Sequence, residues 1–108
     1  MLFRSDNAMG ADLACAAMRA PLLEAVAMTR IPALAMAQPA EVDTAMQRLS
    51  AAQSGWNARP VAERAAILRR AGDLLEQRMA LFCGLLVKEA HKGLGDAVAE
   101  VQIGRAHV

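Results

Sequence analysis

The sequence is poor in aromatic residues, in cysteine and in the residue types that favour β-strands. Aromatic side chains make up 3% of the 108 residues, with one Trp, two Phe and no Tyr. The two cysteines, Cys15 and Cys83, lie far apart, and neither belongs to a Cys-x-x-Cys or Cys/His spacing. This argues against a zinc site and a redox pair. We therefore expect two reduced thiols, as is usual in a cytoplasmic protein.

Long apolar runs and an excess of one charge are also absent. No stretch of about 18 uninterrupted apolar residues is present, so we expect no membrane span. The residues after Met1 lack the apolar core of a signal peptide. The 12 basic and 11 acidic residues give a formal net charge of +1, which argues against nucleic acid as a partner. Together these features predict a cytoplasmic protein.

The chain contains apolar residues that recur at steps of three and four residues. Hydrophobic residues make up 56% of it, and much of this is Ala and Leu, which favour helices. No segment alternates with a period of two for long enough to predict a strand. We predict an all-α chain of four to five amphipathic helices, over about residues 21–29, 39–55, 60–76, 79–90 and 96–101.

Prolines and glycines set the predicted helix limits. Pro21 and Pro39 each begin a helix, because proline is tolerated best in a first turn. Gly55 ends the second helix, and Gly93 and Gly95 interrupt the pattern later. The third helix is expected to bury Val61, Ala65, Leu68, Ala71 and Leu75. The fourth is expected to bury Leu81, Phe82, Leu85 and Leu86.

Few residues are candidates for a catalytic or ligand-binding role, and for each of them a structural role explains the sequence more simply. The Gly93-Leu94-Gly95 segment follows no strand and lacks a third glycine at the spacing of a dinucleotide site, so it indicates a turn. His91 and His107 have no ligand partners at helical spacing and indicate surface histidines. Cys83 lies in an apolar run, where burial suppresses the reactive thiolate.

The remaining candidate is a basic cluster. Arg64, Arg69 and Arg70 alternate with acidic residues, which is typical of a solvated helix face with weak ion pairs. From these residues alone we expect no catalytic, cofactor-binding or metal-ligating side chain.

A longer motif resembles the opening helices of an aldehyde dehydrogenase. Residues 56–76 read WNARPVAERAAILRRAGDLLE. They are similar to that superfamily's pattern of Trp, a short gap, Pro and then E-R-A-x-I-L-R-x-A-x-x-L-L-E. Residues 85–92, LLVKEAHK, resemble its L-x-x-E-x-G-K segment. The residues of these two segments are most similar to the branch of the family that oxidises glutamate semialdehyde (1-pyrroline-5-carboxylate).

An earlier segment extends the resemblance to the proline utilization A family. Residues 6–14, DNAMGADLA, resemble that family's N-S-x-G-x-D-L segment, between a proline dehydrogenase barrel and the aldehyde dehydrogenase module. The resemblance thus implies two parts. Residues 1–38 are an inter-module linker with one or two helices, and residues 39–101 are the N-terminal helices of the dehydrogenase domain.

The resemblance also implies an activity for the intact protein. That activity is NAD-dependent oxidation of L-glutamate γ-semialdehyde to glutamate in proline catabolism, with FAD in the preceding proline dehydrogenase module. The family's nucleotide-binding turn, glutamate base and nucleophilic cysteine lie downstream, so this chain alone is expected to be inactive. Its partner is the rest of the dehydrogenase module, and exposed apolar faces would favour self-association. The alternative is a small, non-catalytic helical interaction module.

Several positions depart from the family's pattern. Ala8 replaces a usual Ser, His91 replaces the usual Gly before Lys92, and Gly93 replaces a Thr that would cap the next helix. Residues 32–39 are too few to hold the family's N-P-A-x-x-x-x-V-G segment.

The last residues match nothing in the family. Residues 103–108 read IGRAHV, which a common short-read sequencing adapter encodes in one frame before a stop codon. Gly104 also disfavours a helix interior. We therefore interpret residues 102–108 as a non-native tail without function and expect it to fray.

Overall fold

All regular structure between residues 10 and 106, the part of the chain that the computed structural model describes, is α-helical. The helices are α1 (Ala16–Met28), α2 (Pro39–Ala58), α3 (Val61–Gln77), α4 (Met79–Glu89) and α5 (Leu94–Ala106). The predicted all-α class with up to five helices is confirmed. The cluster Ser5, Asp6 and Asn7, whose residue types predict a turn, lies outside the described residues.

Helix α2 begins where proline and an acidic residue predict it. Pro39 is its first residue, and the Glu41 carboxylate accepts the backbone N–H of Gln38 at 2.7 Å. The prediction that Gly55 ends this helix is wrong. The helix continues to Ala58 and stops before Pro60, because the residue preceding a proline favours extended backbone. Arg59 has that conformation, with φ −65° and ψ 143°.

The predicted start of α1 at Pro21 is also wrong, since the helix begins at Ala16 and contains the proline. The chain turns before the helix, where the Asp12 carboxylate accepts the Ala14 N–H at 2.9 Å. The Cys15 carbonyl then accepts the Arg19 N–H at 3.0 Å. Proline has no backbone N–H, so Pro21 removes one hydrogen bond from α1, the one to the carbonyl four residues earlier.

Helix α5 is longer than the predicted span of residues 96–101. It runs from Leu94 to Ala106 and includes residues expected to fray. The Arg105 guanidinium approaches the carboxylates of Asp73 at 3.5 Å and Glu76 at 3.7 Å. His107 and Val108 lie outside the described residues.

The chain divides into two compact units, and the first has the hydrophobic core. It comprises the residues up to Ile31 and those from Leu68 onward. In it, α4 packs against both α1 and α5. The buried core residues are Leu22, Cys83, Ala97, Val98 and Val101.

A glycine allows α1 and α4 to approach closely. Gly84 is buried in α4, and a Cβ at this position would meet the Thr29 hydroxyl and lie 3.1 Å from the Ala25 carbonyl oxygen. The Thr29 hydroxyl donates to that carbonyl at 2.6 Å. Any larger residue at position 84 would therefore push α1 away.

The second unit comprises residues 32–67, which include α2 and the start of α3. Every residue from 32 to 63 is exposed, and α2 contributes no buried side chain. Arg64 and Ala65 are half-buried. A helix in water gains most of its stability from packing, so α2 lacks the main source of stability that α4 has.

The predicted buried faces of α3 and α4 are only partly correct. Val61 is 71% exposed, and Leu68, Ala71 and Leu81 are also exposed. The residues that are half-buried are Ala65, Leu75, Phe82, Leu85 and Leu86. The helical stripes exist as predicted, but parts of them face solvent.

Candidate functional site

Cys83 lies in the core and is unsuited to nucleophilic chemistry. Its side chain is 0% exposed, and Leu22 and Val98 belong to the same cluster. Burial raises the pKa of the Cys83 thiol, which holds it in the unreactive protonated form at neutral pH. Cys15 is exposed, and both cysteines are free. The structure thus confirms the burial expected from the apolar run around Cys83.

His91 ends α4 and is exposed. Its backbone lies in the left-handed region with φ 54°, a conformation that glycine adopts without strain. The Lys92 amide donates to the Leu86 carbonyl at 3.3 Å and closes the helix end. His107 lies outside the described residues. Within residues 10–106, no group of three or more His, Cys, Asp or Glu side chains is placed to hold a metal ion.

The glycine pair forms the start of α5. The Gly93 carbonyl accepts the Ala97 N–H at 2.9 Å, which makes Gly93 the residue that caps the helix. Gly95 lies in the first turn. A Cβ on Gly93 would meet only the Asp96 carboxylate, at 3.7 Å, so the side chain that the family pattern has at this position would fit.

The basic cluster is spread along α3. Arg69 and Arg70 are exposed, whereas Arg64 is half-buried and its Nε makes no hydrogen bond. Asp73 and Glu76, two acidic residues of the same helix, contact Arg105. The arginines thus form no converging anion site.

A further candidate surface is an apolar stripe on α2, which we call the α2 face. Its members recur at three- and four-residue steps along one side of the helix: Val42, Ala45, Met46, Leu49, Ala52 and Trp56. Leu49 is 66% exposed and Trp56 39%. Fully burying a side chain such as Val, Leu or Met contributes about 1.5–3 kcal/mol, and an exposed apolar face is typical of surfaces that bind another protein segment.

A shallow groove continues the α2 face. Ala52, Gly55, Trp56, Arg59 and Ile67 line it within the second unit. The groove combines an indole and an aliphatic side chain with one guanidinium. This composition suits an apolar protein segment better than a small polar substrate.

Sequence reasoning missed Gly84 as the contact that sets the spacing of α1 and α4. A signal was present, because Gly84 is a helix-disfavouring residue inside the apolar run of residues 81–86. The identity of the helix that approaches it is a tertiary property that no local pattern carries.

Among residues 10–106, no helix is both long and apolar enough to span a bilayer.

Comparison with known families gives one extensive match. The model of the aldehyde dehydrogenase family matches residues 16–108. This range contains all five helices, including α1. No solved structure matches the chain significantly.

The curated relatives are far longer than this chain. The bifunctional protein PutA of Escherichia coli (strain K12) is 46% identical over 66 residues, which are 61% of this chain and 5% of the relative. The bifunctional protein PutA of Salmonella typhimurium gives the same figures. A succinate-semialdehyde dehydrogenase (NADP(+)) of Deinococcus radiodurans is 38% identical over 66 residues, which are 61% of this chain and 14% of that relative.

Proposed function

Because this chain belongs to the aldehyde dehydrogenase family, we propose that it is the N-terminal helical part of a dehydrogenase that oxidises L-glutamate γ-semialdehyde to glutamate with NAD. One observation carries the choice of substrate. Over equal lengths of 66 residues, the identity to the bifunctional PutA relative is 46%, against 38% for the succinate-semialdehyde dehydrogenase. The motifs of residues 6–14 and 56–76 support the same assignment.

The described residues do not fit NAD. A dinucleotide binds beyond the carboxyl ends of parallel strands, with its pyrophosphate at a glycine-rich turn. The regular structure of residues 10–106 is helical and includes no strand, Gly93 caps α5, and Gly95 lies in its first turn. In the proposed enzyme, other parts of the protein therefore hold NAD and the catalytic groups, and a preceding proline dehydrogenase module holds FAD.

The proposed role of this chain is architectural. It supplies helices that complete the dehydrogenase domain, and its partner is the remainder of that domain. The proposal includes a cytoplasmic location for the whole enzyme. The chain alone is expected to bind neither NAD nor aldehyde.

An assay of the complete reading frame at the source locus tests this function. The purified product should reduce NAD with glutamate semialdehyde at least tenfold faster than with succinate semialdehyde, and should prefer NAD to NADP. The 108-residue chain, titrated with NAD by calorimetry, serves as the control and should give no heat of binding. A product that prefers succinate semialdehyde and NADP, or micromolar NAD binding by the chain alone, contradicts the proposal.

We also propose that residues 102–108 are a non-native tail. The adapter frame that encodes residues 103–108 supports this, and the helical conformation of residues 102–106 does not bear on their origin. Resequencing the source DNA across the codon of Gln102 tests it. Finding the codons for Ile103 to Val108 in contiguous genomic sequence would refute it.

A further inference from the structure

We draw no further inference here: the strongest candidate, the shallow apolar groove that Met18, Leu22, Met79 and Ala80 line in the first unit, carries none because nothing in the structure shows what covers it, and the Glu76 carboxylate in its lining already contacts Arg105.

Discussion

Two residues, Cys83 and His91, lie in surroundings that are unusual for their residue types, and substitutions at both should change the free energy of unfolding. Cys83 is a titratable group in the core, and His91 is a non-glycine residue in left-handed backbone. The burial of Cys83 followed from the apolar run around it. The left-handed backbone of His91 was not predicted from the sequence, although the pattern that the chain resembles has Gly at that position.

Cys83 should make the stability of the first unit fall at alkaline pH. Because burial raises the pKa of the folded thiol, the unfolded chain loses its proton first. The contribution is therefore complete below the ordinary thiol pKa of about 8.5 and is lost as pH rises towards the raised folded value. Urea unfolding between pH 7 and 10 should show a decline of up to about 1.4 kcal/mol per pH unit.

The Cys83→Ala variant should remove this decline, although its stability at pH 7 is lower. Cys15→Ala, at an exposed cysteine, is the matched control and should keep it. An identical pH dependence in wild type and Cys83→Ala would contradict the assignment.

Replacing His91 with glycine should stabilise the end of α4. A non-glycine residue in the left-handed region costs about 1–2 kcal/mol, so we expect His91→Gly to raise the free energy of unfolding by about 1 kcal/mol. Ala90→Gly is the control, because Ala90 has φ −92° and needs no glycine. It should lower stability by about 0.5–1 kcal/mol. A His91→Gly variant less stable than wild type in urea unfolding would rule out this explanation.

At the scale of the helices, two glycines that lie inside helices have opposite roles. Gly84 lies against α1, whereas a Cβ on Gly55 in α2 would meet no atom within 4 Å. The same substitution should therefore stabilise one helix and destabilise the other.

Gly84→Ala should lower the free energy of unfolding by about 1–3 kcal/mol, because the added methyl group meets a backbone carbonyl that cannot move without shifting α1. Gly55→Ala should raise the helicity of α2, since alanine is favoured over glycine by about 1 kcal/mol in an exposed helix. Circular dichroism during urea unfolding measures both effects. Destabilisation of equal size by both substitutions would show that the close approach at Gly84 is not what matters.

The helices show where sequence reasoning succeeds. Pro39 and Glu41 are local signals, and α2 begins where they predict. Pro21 and Gly55 were misread as helix limits because a helix tolerates one weak residue when its neighbours favour the helix. In the part of α5 beyond Val101, Arg105 approaches Asp73 and Glu76, which are about 30 positions away in the chain. That contact, like the one at Gly84, has no local signature.

At the scale of the whole molecule, the two units differ in packing, and this difference should decide how the chain self-associates and exchanges its amide hydrogens. The first unit has a core, and the second exposes the α2 face and Val61. The motifs in the sequence pointed to a part of a larger domain, and the family match agrees. The sequence could not show which apolar stripes stay exposed, because burial depends on the partner surface.

The isolated chain should self-associate weakly through the α2 face. Exposed apolar surface is removed from water when two copies meet, so sedimentation should show larger species as concentration rises. Trp56, the sole tryptophan, should shift its emission to shorter wavelength over the same range. Leu49→Lys, which places a charge on the α2 face, should abolish both changes. Gln47→Lys, which places the same charge on the opposite side of α2, should abolish neither. Sedimentation as a monomer at all concentrations would contradict this expectation.

Hydrogen exchange of the isolated chain at low concentration tests the central claim most directly. The claim is that this chain is one packed unit joined to a helix that needs the rest of its domain. Amides of α4 should be protected, because that helix packs on both sides, whereas amides of α2 should exchange at rates close to those of an unfolded peptide. Protection of α2 equal to that of α4 in the monomer would show that the chain is complete in itself and would contradict the claim.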